Sequence, residues 1–258
     1  MNFMRVTLPL LAAAVALSAA TLSACGQSGV KAPDSIGRME KAEVEAIVRE
    51  FLLREPEMLY EMQSAYQVKE SLQQALKAEA AWDKLISTSQ NDPVIGRKDA
   101  PITIIEFSDY ECSVCKRALS WVISQVDDRR GDIRLIVKES AWKEPTSEPA
   151  ARAALAARKQ GKYREMHIAL MKAPFGAHTP EHIETMARSI GLDIPRLKSD
   201  MVSPEITAQI AKYGEEYDLA GIQGTPSFLV NGTFVGGFDQ AGLESLLDAK
   251  RAEIKDKK

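Results

Sequence analysis

The sequence predicts an α/β fold with a helical insertion, preceded by an N-terminal helical segment. Three observations predict it. Two apolar, β-branched runs, 102–107 and 133–138, flank an amphipathic stretch at 112–129, giving a β-α-β unit of the kind that builds a parallel sheet. A block from about 147 to 220 then has helical character throughout. Finally the chain returns to short apolar runs at 227–230 and 233–235, joined by Asn231-Gly232, the strongest short hairpin signal.

The chain has 258 residues, 45% hydrophobic and 27% charged, which suits a globular protein. Its net charge of -3 and the lack of a basic stripe with interleaved aromatics argue against nucleic-acid binding. Residues 1–24 read as an export leader: a short, mildly positive start, then an apolar stretch from Val6 to Leu22 that is short for a membrane span. It closes on Leu22-Ser23-Ala24-Cys25, which resembles the bacterial lipobox, in which the Cys becomes the lipidated first residue. An ordinary signal peptide cut nearby is the alternative. Residues 25–38, rich in Gly, Ser and Pro, read as a flexible linker to the membrane.

Residues 39–90 are helical in pattern. A first helix at 41–54 places Val44, Ile47, Val48, Phe51 and Leu52 on one face, and Pro56 breaks it. In the second stretch, to about Ser87, a seam of Ala65, Val68, Leu72 and Ala75 continues to Trp82 and Ile86 but is interrupted by Glu79. The pattern fits either self-association or packing on the chain's own domain. A short strand is expected at 93–96. Gly131 is expected to end the helix that follows the first long strand. In the insertion, Thr179-Pro180 and Ser203-Pro204 pair an N-cap residue with Pro at the first helical position. A last helix is expected over about 240–254.

There are three cysteines. With Cys25 lipidated, Cys112 and Cys115 remain, spaced C-x-x-C at the exit of a buried strand and the start of a helix. Thiols three apart on a helix can close a small disulfide ring. The first lies where unpaired backbone N–H groups favour an anion, so Cys112 should be the nucleophile and Cys115 the inward, resolving thiol. A purely structural disulfide would stabilise little across so short a loop. Zinc bound by this pair and His178-x-x-x-His182 is formally possible. However, 62 residues separate Cys115 from His178, against about 12–15 in a zinc finger. The two histidines read instead as surface helix residues.

The run Glu106-Phe-Ser-Asp-Tyr-Glu-Cys112-Ser-Val-Cys115-Lys116, with Gly224-Thr-Pro-Ser-Phe-Leu-Val230 downstream, resembles the DsbA family of thioredoxin-fold proteins. Ala150 to Met171 resembles that family's helical insertion, here about 146–220, and the likeness covers about 91–253 within a domain of 91–258. It implies a thioredoxin fold and a thiol–disulfide oxidoreductase whose only redox group is its own disulfide. It also implies a cis Pro226 facing the thiols, a Thr225 backbone offered to an extended substrate, and a buried Glu106 assisting proton transfer. Residues 41–61 are similar to the N-terminal segment of ScsC proteins, suppressors of copper sensitivity, which drives oligomerisation in several members. This implies a homodimer or homotrimer. The motif dipeptide, Ser113-Val114, departs from the Pro, His, Tyr or Gly usual in the family and puts an extreme oxidising poise in doubt. The expected activity is disulfide isomerase on exported cysteine-containing proteins in the bacterial periplasm, with an unidentified membrane redox partner and, because Gly26 follows the lipidated Cys, an outer-membrane anchor. A DsbA-type oxidase, or a non-enzymatic module holding copper through its thiols, are the alternatives.

Overall fold

The computed structural model describes residues 39–141 and 145–256. The expected leader, Cys25 and the expected linker lie outside them. The described chain falls into two compact units, divided between Leu59 and Tyr60. In the first, helix α1 (Lys41–Arg54) buries none of its residues, and Val44, Ile47, Val48 and Leu53 are exposed. Helix α2 (Glu57–Ala80) starts beyond Pro56, which cannot supply the N–H that a continuous helix needs.

In the second unit five strands form one mixed sheet: β1 (Val94–Gly96), β2 (Ile102–Ser108), β3 (Ile133–Glu139), β4 (Ser227–Val230) and β5 (Thr233–Gly236), in the order β1-β3-β2-β4-β5. Only β2 and β3 run parallel, with Glu106 opposite Val137 and Ser108 opposite Glu139. Every residue of β2 is buried, so both faces of the sheet are covered. Alternation sends Ile102 and Ile104 into one core and Ile105 and Phe107 into the other. Glu106 shares the face of Ile102 and Ile104, the face on which helix α4 (Ser113–Val126) packs through Cys115, Ala118, Leu119 and Val122. That parity places an acid beneath the thiol pair.

Gly131 does not end α4. The helix stops five residues earlier because Asp128 turns the chain, accepting the Arg130 N–H at 2.9 Å, and Gly131 takes φ +56° in the following turn. Between β3 and β4 come α5 (Ser147–Arg158), α6 (Tyr163–Lys172), α7 (Pro180–Ser189), α8 (Ile194–Met201) and α9 (Pro204–Leu219). Thr179 and Ser203 cap α7 and α9 as their sequence implies, and Asp193 caps α8. Asn231 (φ 43°) and Gly232 (φ 91°) make the β4–β5 hairpin turn, and α10 (Gln240–Asp256) closes the domain.

The second helical stretch differs from the expected seam. It breaks at Ala81 before α3 (Trp82–Thr88), and its buried residues are Ala78, Ala81 and Leu85, which pack on Ile105, Phe107, Ile136 and Leu229. Val68 and Leu72 stay exposed, and Glu79 accepts the Phe234 N–H of β5 at 3.2 Å. The packed domain therefore starts before residue 91, at about Ala78. Of the seam residues, Trp82 and Ile86 are half-buried against this core, whereas Val68 and Leu72 are not.

Candidate active site

Strand β2 delivers Asp109-Tyr110-Glu111 to the sheet end, and the chain turns into α4 at Cys112. Cys112 is the N-cap residue of α4, with extended backbone (φ -86°, ψ 117°) and a free thiol. Its Sγ donates to the Thr225 carbonyl at 3.1 Å. The Thr225–Pro226 peptide bond is cis, and this segment leads into β4 beside β2. Thus residues 113 positions apart meet at one sheet end.

The two thiols differ in environment. The Cys112 side keeps 9% of its surface in water, Cys115 1%. The Cys112 thiol is held far below its usual range, at about 4, foremost by a hydrogen bond from Cys115. Burial opposes this, and hydrogen bonds from the Thr225 side chain and the Cys115 and Val114 N–H groups reinforce it. Burial pushes the Cys115 thiol up, and its hydrogen bond to Cys112 and the charge of Glu106 add to that. Glu106 is 3% exposed and accepts the Ser108 hydroxyl at 2.9 Å. Burial lifts its carboxyl to about 7, offset by Ser108 and increased by the Cys112 charge. Of the motif dipeptide, Ser113 is exposed and Val114 packs partly into the core, so the dipeptide acts on Cys112 through the Val114 backbone N–H and not through a side chain. Such an arrangement can hold a thiolate open to attack on a disulfide, keep a second thiol protonated behind it, and accept that second proton on a carboxylate.

Two side-chain clusters around this centre were not anticipated. Glu111, directly before Cys112, accepts the Gly176 N–H at 2.8 Å and pairs with His178 Nδ1 at 2.7 Å. Burial resists its ionisation, but hydrogen bonds from Thr146, Gly176 and His178 outweigh it and hold the carboxyl below its usual range. Lys116, directly after Cys115, donates to the Ala173 carbonyl at 2.6 Å. The loop after α6 is thereby tied to both flanks of the motif. His178 is thus a fully buried loop residue, not a surface helix residue, whereas His182 is exposed on α7. Both His178 ring nitrogens are engaged, the second by the Leu170 carbonyl at 2.9 Å, which removes the zinc alternative for this histidine. Among the described residues no group of three or more His, Cys, Asp or Glu could hold a metal ion.

The second cluster joins Tyr110, Glu139, Tyr163 and His167. Glu139 Oε1 accepts both tyrosine hydroxyls, at 2.9 and 2.6 Å, and Tyr110 also meets His167 Nδ1 at 2.9 Å. Burial lifts the Glu139 carboxyl to about 8, opposed by the two tyrosine hydrogen bonds, and lowers His167 to about 4, so it favours the neutral form of each. The sequence signal for it was weak, because Glu139 closes a strand that already carries Arg134 and Lys138.

Fold and thiol pair together define a thiol–disulfide oxidoreductase of the DsbA and ScsC type. The chain belongs to the thioredoxin family, whose profile matches residues 88–249, and the profile of the copper resistance protein ScsC N-terminal domain matches residues 40–73. A thioredoxin-like oxidoreductase from Silicibacter pomeroyi DSS-3 is 40% identical, with a TM-score of 0.59, over 63% of this chain and 94% of that one. The structure of Proteus mirabilis ScsC in a transitional conformation is 27% identical, with a TM-score of 0.60, over 82% of this chain and 97% of that one. Among curated proteins, a Na(+)/H(+) antiporter NhaA 1 of Salinispora arenicola is 33% identical over 143 residues. This match takes in 55% of this chain and only 22% of the antiporter.

Proposed function

We propose that the protein is a disulfide isomerase of exported proteins, working through Cys112 and Cys115. The contrast between a partly open, strongly acidic Cys112 thiol and a sealed, protonated Cys115 carries this reading. The Cys112 thiolate attacks a substrate disulfide, forming a mixed disulfide and releasing one substrate thiolate. That thiolate can then attack elsewhere in the substrate and return Cys112 unchanged, which is isomerisation. Otherwise Cys115 gives its proton to Glu106, attacks Cys112 Sγ and releases the second substrate thiolate, leaving a Cys112–Cys115 disulfide. An extended substrate lies along the Thr225 backbone beside Pro226, a form of β-augmentation.

Isomerase over oxidase rests on the N-terminal segment. Ile47, Val48, Leu59, Tyr60, Met62, Tyr66, Val68, Leu72 and Leu76 each leave about half or more of their surface exposed. Apolar faces of this extent suit contact with further copies of the chain. Two or three chains so joined would set several Cys112 thiols around one substrate, raising the effective concentration for a second attack. Lipidation of Cys25 would hold the assembly at the periplasmic face of the outer membrane, and a membrane redox partner would keep the pair reduced. The oxidase reading has its own support: a strongly stabilised Cys112 thiolate favours the dithiol, which makes the disulfide oxidising.

Light scattering on the mature chain and on a chain starting at Gln74, which keeps the packed Ala78–Leu85 surface, tests the assembly. The mature chain should be two- or threefold the monomer mass and recover a scrambled-disulfide protein. The shortened chain should be monomeric and exchange simple disulfides without that recovery. Monomers in both cases would remove the support for isomerase and leave the oxidase.

A further inference from the structure

The sheet face that carries α3 holds two cations that the fold treats differently. Arg134, Ile136 and Lys138 alternate along one face of β3. Lys138 is fully buried and fully answered: Asp92 at 2.7 Å, Glu216 at 2.7 Å and Ser89 at 3.0 Å accept from its ammonium. Arg134, half-buried four residues earlier, meets among the described residues only neutral oxygens, the Thr103 hydroxyl at 2.7 Å and the Lys98 carbonyl at 2.6 Å. It lines a cleft of about 540 Å³ together with Lys98, Arg158 and Arg164. Arg164 is matched by Asp127 at 2.6 Å. Half-buried Arg158, at the end of α5, and Lys98 have no side-chain partner among the described residues.

The acids in the same cleft do not answer these charges. Asp92 is taken by Lys138 and by Lys212, each at 2.7 Å, and Glu165 is taken by Lys162 at 3.3 Å. The cleft therefore carries an excess of positive charge on a protein whose net charge is -3. A guanidinium removed from water without a counter-ion is costly, and its planar fork fits the oxygens of a phosphate. The remaining wall is mixed, with Ile86, Val94 and Ile136 supplying apolar surface beside Ser89, Gln90 and Tyr163, and the volume matches that of small-molecule sites, about 300–1,000 Å³.

We propose that this cleft binds a phosphate ester bearing an apolar group, with Arg134, Arg158 and Lys98 holding the phosphate and Ile86, Val94 and Ile136 receiving the apolar part. Such a ligand would rest on the turn 89–91, β1 and the ends of α5 and α6, joining the N-terminal segment's end to the helical insertion.

The chemistry has two natural sources, a lipid headgroup and a soluble ester. Calorimetric titration of the mature protein with dihexanoyl phosphatidylglycerol, phenyl phosphate and inorganic phosphate separates them. At least one ester should bind about tenfold or more tighter than inorganic phosphate, from the buried apolar area. The tighter of the two esters identifies the source. Lys98→Gln and Arg158→Gln, both at the rim, should each weaken that ester about tenfold or more, the loss of a charge-assisted hydrogen bond, with unchanged melting temperature. Binding of neither ester at millimolar concentration, inorganic phosphate binding as tightly as the esters, or both variants binding like the parent protein would each overturn the assignment.

Discussion

Lowering the pH should strip the reduced protein of a stability that the Cys112 thiolate supplies. A free thiol titrates near 9, and the folded Cys112 near about 4. A folded pKa below the unfolded one means that the stabilisation is complete above the unfolded value and is lost as pH falls through the folded value. At pH 7 an unfolded thiol is protonated, so the folded gain is that accumulated between the folded value and pH 7. At about 1.36 kcal/mol per unit this is about 4 kcal/mol. Cys112 keeps some contact with water, whose screening reduces the figure to about 2–4 kcal/mol. Chemical denaturation of the reduced protein against Cys112→Ser at pH 7 and pH 4 measures it. The parent should lead by this amount at pH 7 and lose most of the lead at pH 4. The thiolate absorbance near 240 nm (parent minus variant) should titrate with a midpoint near 4. A midpoint near 8 or 9 with a pH-independent stability difference would refute the electrostatic account of this site.

Other expectations follow from neighbouring groups. Glu106→Gln should slow release of mixed disulfides about a hundredfold and abolish a rise in that rate through about pH 7, read by stopped-flow. Because burial raises the Glu106 carboxyl, its stability contribution falls as pH rises from about 4.5 to 7, so the Gln variant should be more stable at pH 7 by about 2–3 kcal/mol. Lys138→Met removes the fully buried cation that Asp92 and Glu216 share, leaving them the half-buried Lys212, and should cost about 3–5 kcal/mol in urea denaturation. Leu85→Ala, in a fully covered position against the sheet, should cost about 2–5 kcal/mol, and a chain starting at Asn91 should melt below one starting at Gln74.

The elements with strong local signals were legible. Apolar runs gave β2 and β3, Asn231-Gly232 gave the hairpin, and Ser/Thr-Pro pairs gave the starts of α7 and α9. Cys112 at the head of α4 was legible because a cap is a local property of the chain. What depends on distant partners was not. The Glu111–His178 pair joins residues 67 apart, and Glu139 meets Tyr110 and Tyr163 only once the sheet and α6 are assembled. Gly131 misled because a side-chain turn at Asp128 ended the helix first. The packing of Ala78, Ala81 and Leu85 on the sheet was not legible, because the composition changes only near residue 90 and their partners Ile105, Phe107, Ile136 and Leu229 are distant in sequence.

The proposed division of labour between the thiols is tested most directly by trapping. Cys115→Ser, expressed as the full 258-residue chain, should accumulate mixed disulfides with substrate proteins, and mass spectrometry of the digested adducts should locate every linkage at Cys112. Cys112→Ser should trap none. Adducts joined through Cys115 in the Cys112→Ser protein, with none through Cys112 in the Cys115→Ser protein, would contradict the assignment of Cys112 as the attacking thiol.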